Sequence, residues 1–390
     1  MRITFVLKTA DRSGGVRVVA TYAEALAAAG HEVHVFSTRT AVPPRQRLRN
    51  MIRGRGGHRL EPVPPHPLDG LKHVEHTVLE DARPVGADDL PDADVVVATW
   101  WETAEWVAEL PGNKGEPVYL IQHDESVFPG LTEAQRARVR ATWTLPMRRV
   151  VVSNWIRDRV LAHLRRIPDG FDHGRPARAT VDGSGTAAAA TLVDPAAAVQ
   201  VINNGIDTRL FNAPPRNKAD RPTIVVMHSG VPFKGFDVAA QVLEALKQQT
   251  PELRCVAFGP YAPGPDSPLP SWAEFVCDPG DVAAVYARGD LYLFTSRAEG
   301  FGLPLLEAMA CRTPVVATRT GAAGELVPRD LLCGIDDVDA LVAACRRVLT
   351  LDDAAWSAAS AAARATAEAH TWPAAVTAFE LTLQEAAAGF

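Results

Sequence analysis

Cysteine is scarce in this sequence. The five present (Cys255, Cys277, Cys311, Cys333 and Cys345) all lie in the second half, are odd in number and form no C-x-x-C pair. This excludes a disulfide framework or a cysteine-held zinc site, and leaves reduced packing residues of a cytosolic protein. Also missing is any apolar run near the ~18 residues that a membrane span requires. The opening Met1-Arg-Ile-Thr-Phe-Val-Leu is too short and too quickly polar for a signal peptide, so the expected location is the cytoplasm. A basic excess is absent as well. Residues 1–200 hold 25 Lys and Arg against 24 Asp and Glu, residues 201–390 hold 15 against 22, and the net charge is −6. A general nucleic-acid binder has the opposite sign, so no nucleic-acid partner is expected.

What is present is a globular composition, 47% hydrophobic and 22% charged, in 390 residues. That length exceeds the roughly 250–300 residues one core accommodates, so two domains are expected. Apolar runs at 3–7, 32–36, 95–98, 118–121, 150–152 and 199–202 read as strands, interleaved with helical stretches such as 16–29 and 133–144. The pattern restarts after Asn203-Asn204-Gly205, with strands at 224–227, 253–258, 291–294 and 314–317 and helices at 236–249, 282–287 and 304–311. Strand, helix, strand in repetition predicts α/β architecture: two doubly wound parallel-sheet (Rossmann-like) domains facing across a cleft. The expected boundaries are 1–205 and 206–371, with a final helix at 372–390 crossing back to the first domain and a hinge over 206–218. Residues 168–195, rich in Gly, Asp and Ala, read as a mobile surface excursion.

Chemistry concentrates in Glu299-Gly-Phe-Gly-Leu-Pro-Leu-Leu-Glu307, which follows a strand. Pro304 suits a first helical turn, so a helix should start near Leu303. Gly300 and Gly302 clear side chains where a ligand approaches main chain, and free amides at a helix start suit an anion such as a diphosphate. Glu299 and Glu307 then flank that anion, placed to accept hydrogen bonds from sugar and ribose hydroxyls. The plainer reading is an ordinary strand-to-helix turn with acids favouring the helix dipole.

This segment resembles the Glu-x7-Glu signature of the retaining GT-B glycosyltransferases, the large family often called family four or group 1. The resemblance runs in order along the chain, through the first strand with Gly14-Gly15, the segment 201–211, residues 299–310 and His370-Thr-Trp372. It implies that Glu299 binds donor-sugar hydroxyls, that Glu307 binds the ribose, and that Gly300, Phe301, Gly302 and Leu303 give amides to the phosphates. Gly14 and Gly15 would let the first-domain loop close on the donor. Lys234, in the pair Lys234-Gly235, would stabilise the charge on the leaving diphosphate. His123, at a strand's C-terminal end, would hydrogen-bond the donor near the reacting sugar. Phe258, Gly259 and residues 277–281 would surround the base.

One departure concerns the arginine that the family usually places five or six residues before this lysine, where His228 and Ser229 stand. His228 would give one hydrogen bond to phosphate, unless Arg297 or Arg209 supplies the contact. The implied activity is retaining transfer of a sugar from a nucleoside-diphosphate sugar (UDP, dTDP or GDP) to a hydroxyl-bearing acceptor, with no bound cofactor and no required metal.

Trp100 and Trp101 follow a strand and offer rings for an acceptor, or else pack the core. Arg45, Arg47, Arg49, Arg53, Arg55 and Arg59 read as a flexible basic loop. It is solvated, grips the acceptor, or makes peripheral contact with anionic lipid headgroups at the inner membrane face. Competing functions are a dinucleotide-dependent oxidoreductase, disfavoured by the missing G-x-G-x-x-G, a GT-B sugar-nucleotide epimerase, and a catalytically silent partner that keeps the donor fold.

Overall fold

The computed structural model describes residues 1–53, 58–166, 199–265 and 267–389. The first sheet is built from β1 (Arg2–Leu7), β2 (Glu32–Ser37), β3 (Glu75–Val78), β4 (Val95–Ala98), β5 (Glu116–Ile121), β6 (Arg148–Val151) and β7 (Val199–Val201). Its spatial order is β3-β2-β1-β4-β5-β6-β7, every pair parallel. Its helices are α1 (Gly14–Ala28), α2 (Pro44–Ile52), α3 (Trp101–Ala108), α4 (Glu133–Thr142) and α5 (Asn154–Leu164).

The second sheet holds β8 (Thr223–Met227), β9 (Arg254–Gly259), β10 (Glu274–Cys277), β11 (Leu291–Phe294), β12 (Val315–Thr318) and β13 (Leu332–Cys333). Its order is β10-β9-β8-β11-β12-β13, again all parallel. The accompanying helices are α6 (Phe236–Gln249), α7 (Val282–Tyr286), α8 (Leu303–Ala310), α9 (Ala323–Leu326), α10 (Val338–Leu349), α11 (Asp353–Ala369) and α12 (Trp372–Ala387).

Helices cover both faces of the central strands, so β4 and β11 are buried at every residue and appear in the sequence as unbroken apolar runs. α1 buries Val16, Val19, Ala23 and Leu26, one face at helical spacing. α12 lies on the first sheet: Phe379 is fully buried, its ring 4.6 Å from Tyr22 and 6.3 Å from Phe5. Burying such a side chain contributes about 1.5–3 kcal/mol, enough to fix the end of the chain to the first domain. Ile206 joins Thr371 in a parallel bridge, which sets the interdomain segment beside the start of α12.

Several expectations need correction. The basic segment expected as a loop is helical over Pro44–Ile52; Arg55 and the 168–195 excursion lie outside the described residues. Gly14 and Gly15 form the first turn of α1, behind the N-cap Ser13, rather than a loop before it. β3, β10 and β13 escaped sequence reading because they are short or half-exposed strands toward the sheet edges, without an apolar run.

Both strand orders reverse direction at one point, between β1 and β4 in the first sheet and between β8 and β11 in the second. In open parallel sheets, ligands bind beyond the carboxyl ends of the strands at such a point. There β1 leads into Gly14-Gly15 and β4 into Trp100, while β5, next to β4, leads to His123. On the other side β8 leads to Lys234 and β11 to Glu299.

Candidate active site

α8 starts at Leu303 behind Gly302, whose φ of 91° is a left-handed conformation that glycine adopts without strain. Pro304 occupies the first turn, where its missing N–H is no loss. The acids on either side are both buried, Glu299 5% exposed and Glu307 6%. Burying a carboxylate is costly unless it is paired, and each of these has two partners. Glu299 Oε1 accepts from Lys234 Nζ at 2.7 Å and from Ser296 Oγ at 2.7 Å. Glu307 Oε1 accepts from an Arg17 guanidinium N–H at 2.8 Å, and Oε2 accepts from the Tyr286 hydroxyl at 3.0 Å. Burial first, and Glu307 second, push the Tyr286 phenol well above its usual range, so it stays a donor.

Lys234 is held by a one-turn helix, Pro232–Lys234. The amide of Arg297 donates to the Phe233 carbonyl at 2.7 Å and the Thr295 hydroxyl to that of Gly235 at 2.8 Å. The lysine loop and the glutamate loop are thereby one rigid piece.

The first domain closes on this piece at Gly300, where a Cβ would overlap the carbonyl oxygen of Gln122. The Ser153 hydroxyl donates to the Gly300 carbonyl at 2.6 Å, and Glu325 accepts from the Asn154 amide at 2.9 Å and the Asn203 side chain at 3.1 Å. Gly15 also abuts the Gln122 side chain, while Gly14 faces open space. Phe301 and Leu303 are buried.

His123 sits at this junction. Its Nδ1 lies 3.1 Å from the Asp124 carbonyl and must donate to it, so in the neutral ring Nε2 is an acceptor. That Nε2 is buried and has no hydrogen-bond partner among the described residues. Burial lowers the ring's pKa against the opposing pull of Glu299, which keeps the imidazole neutral at pH 7. A buried, unpartnered lone pair on a ring packed between Phe128 and Phe233 is suited to a ligand hydroxyl. Behind it, burial first, and the neighbouring Asp124 charge second, raise the Glu125 carboxyl well above its normal range.

Other sequence candidates separate. His228 is buried between Phe236 and Phe275, and its Nε2 pairs with the Ser267 carbonyl at 2.9 Å, which leaves that nitrogen no part in binding phosphate. Arg297 is engaged by Asp237 at 2.7 Å and Asp336 at 2.6 Å, and Arg209 by Asp207 at 3.1 Å. Trp101 is 3% exposed beneath the Arg138 guanidinium and has no face for an acceptor. Trp100 does reach the cleft: it stacks on Phe128 at 5.4 Å, and Phe128 stacks on Phe233 of the other domain at 5.3 Å. Phe128, Phe233, Ser296, Tyr286 and Arg17 carried no sequence signal, since each acquires its place only through tertiary contact. Among the described residues no group of three or more His, Cys, Asp or Glu is placed to hold a metal ion.

Two family models match the chain, one described as Glycosyl transferases group 1 over residues 221–351 and one as Glycosyltransferase Family 4 over 12–175. A GDP-mannose-dependent alpha-(1-6)-phosphatidylinositol monomannoside mannosyltransferase of Mycolicibacterium smegmatis is 30% identical over 170 residues, 35% of this chain and 43% of that protein. A D-inositol 3-phosphate glycosyltransferase of Saccharomonospora viridis is 32% identical over 151 residues, 32% of this chain and 35% of its own. The chain thus spans less than half the length of these curated relatives. Among solved structures, sucrose-phosphate synthase of Thermosynechococcus elongatus superposes with a TM-score of 0.68 at 19% identity, covering 100% of both chains. Anabaena HepE in complex with UDP and glucose gives 0.66 at 17%, covering 99% of this chain and 100% of that one. The fold is therefore GT-B.

Proposed function

The chain belongs to the group 1, family 4 glycosyltransferases, and from that membership we propose that it transfers a sugar from a nucleoside-diphosphate sugar to a hydroxyl acceptor with retention of anomeric configuration. The observation that carries this reading is the pair of buried acids flanking the start of α8, each beside a cation, with the unpartnered His123 Nε2 opposite. In this reading residues 1–205 form the acceptor side, 206–371 the donor side, and 372–390 the return helix.

The amides of Gly300, Phe301, Gly302 and Leu303 and the two N–H groups of Lys234 not given to Glu299 bind the diphosphate. Glu299 accepts from donor-sugar hydroxyls, Glu307 from the ribose, and His123 Nε2 from a hydroxyl near the reacting carbon. The acceptor hydroxyl attacks the anomeric carbon on the face the diphosphate leaves, and the departing phosphate oxygen takes its proton. The C–O bond to phosphate breaks as the new glycosidic bond forms. Amides and an ammonium already aimed at the leaving oxygen stabilise its growing charge without a metal ion. Trp100 and Phe128 line the acceptor side, and Phe128 stacks there against Phe233 of the donor side.

The relatives' printed donors and ligands, GDP-mannose and UDP, share the nucleoside diphosphate and leave the base open. Thermal shift with UDP, GDP and dTDP should single out one diphosphate, and the matching sugar donor should then be hydrolysed slowly with the released sugar keeping its anomeric configuration by NMR. Stabilisation by none of them, or release with inversion, removes the reading; turnover abolished by a divalent chelator removes its metal-free part. Donor hydrolysis also separates it from a silent partner, and nicotinamide absorbance changes would instead favour an oxidoreductase.

The acceptor reading extends to a lipid surface. Leu48, Met51 and Ile52 lie three and four residues apart on α2, 61%, 59% and 79% exposed, beside Arg45, Arg47, Arg49 and Arg53 with no acid in the helix. An apolar stripe with an arginine flank supports peripheral contact with anionic lipid. Co-sedimentation should be stronger with phosphatidylglycerol vesicles than with phosphatidylcholine and should fall in a Leu48→Ser/Ile52→Ser variant; equal sedimentation ends this part.

A further inference from the structure

Diphosphate binding needs more positive charge than Lys234 alone provides. Glu299 and Glu307 with one lysine make a pocket of net −1, which repels an anion, whereas a second cation brings it to neutrality. The sequence offers Arg297, Arg209 and His228 for that role, and all three are engaged elsewhere. We propose that Arg17, delivered from α1 of the first domain, is the second cation of the donor site: it holds Glu307 and donates its remaining N–H groups to the diphosphate beside the ribose. The inference rests on the donor-site reading above.

Three observations support it. One Arg17 N–H reaches Glu307 Oε1 at 2.8 Å, and no other partner of its guanidinium is present among the described residues, so four of its five N–H donors remain. The side chain is 47% exposed, open to a ligand entering the cleft, while the Glu307 side chain beneath it is 7% exposed. Ribose and the first phosphate are covalent neighbours, so a planar fork bonded to the carboxylate that takes the ribose lies within its own span of that phosphate. Arg17 and Glu307 belong to different domains, and a donor that both grip would couple its binding to cleft closure. Tyr286 continues to hold Glu307 when Arg17 is removed, so variants at this position keep the acid paired.

Isothermal titration of UDP, GDP and dTDP, and of uridine, guanosine and thymidine, into wild type, R17A, R17K and K234A tests this, with thermal unfolding to confirm that each is folded. For whichever diphosphate binds, R17A should weaken affinity by about tenfold or more, R17K by less, and the matching nucleoside by under about twofold. The salt dependence of diphosphate binding should also become shallower in R17A. Equal or tighter diphosphate binding by R17A would show that the guanidinium only covers Glu307. Equal losses for nucleoside and diphosphate would show that it only positions the acid. Either result overturns the proposal. Wild type that binds no diphosphate, or K234A that binds it undiminished, overturns the donor-site reading and the Arg17 role with it.

Discussion

Glu299 and Glu307 stand at opposite ends of the same nine-residue stretch, equally buried and each bonded to a cation, yet their company differs. Both partners of Glu299, Lys234 and Ser296, come from the second domain and from loops stapled to one another. Glu307 has one partner at home, Tyr286, and one across the cleft, Arg17. The first acid is therefore set whether or not the domains touch, and the second gains its full shell only when they meet. Preorganisation lowers a barrier when it belongs to the reacting centre, and coupling to closure serves binding. In the proposed donor site, a fixed Glu299 would suit the sugar end and a closure-dependent Glu307 the nucleoside end.

Substitution at the two acids should break this comparison most sharply. Glu299→Gln keeps the shape but removes the charge that orients Lys234, and is expected to lower kcat by about 100-fold with little change in donor KM. Glu307→Gln should instead raise donor KM by about tenfold and leave kcat within a few-fold. Steady-state kinetics with the donor identified by thermal shift distinguishes them. The reverse pattern would exchange the two roles.

A second contrast lies in the glycines that meet at the cleft. At Gly300 an added Cβ would overlap the Gln122 carbonyl, main chain that cannot rotate aside, whereas at Gly14 it would meet nothing within 4 Å. Gly300→Ala is expected to push the domains apart, lowering both turnover and the unfolding temperature. Gly14→Ala should preserve or raise that temperature, since alanine is favoured over glycine in a helix by up to about 1 kcal/mol, and should reduce turnover only if donor main-chain contact occurs there. Equal unfolding temperatures for the two variants would mean the cleft is not closed at Gly300.

The same physics decided how far the molecule was legible in its sequence. β4 and β11 were readable to the residue because both faces are buried and every side chain had to be apolar. α2 was not, because it buries no residue and its arginines mask the stripe of Leu48, Met51 and Ile52. Near the site, Glu299, Gly302, Pro304 and Glu307 carry a local signal, since a loop, a helix start and its first turns fix their spacing. Arg17 meets Glu307 across 290 positions, and Phe128 meets Phe233 across an interdomain gap, so no local pattern announces them. Trp100 and Trp101 are adjacent in sequence, and only the turn into α3 decides that one ring reaches the cleft and the other is buried.

The smallest effect is expected at Arg297, two residues before Glu299 and attractive in sequence as a phosphate ligand. Its guanidinium donates to Asp237 at 2.8 and 2.7 Å, to Asp336 at 2.6 Å and to the Pro232 carbonyl at 2.9 Å. With its side chain 30% exposed and both acids more than half exposed, solvent screens most of the attraction, and loss of such pairs costs about 0–1 kcal/mol. The network pins the outer side of the Lys234 loop, but Thr295 and the Arg297 main-chain amide pin the inner side and survive substitution. Arg297→Ala should therefore shift the unfolding temperature slightly and leave diphosphate affinity within about twofold, measured in the same titration as R17A. A tenfold loss at Arg297 with none at Arg17 would return the phosphate contact to the second domain and dissolve the distinction between the two acids.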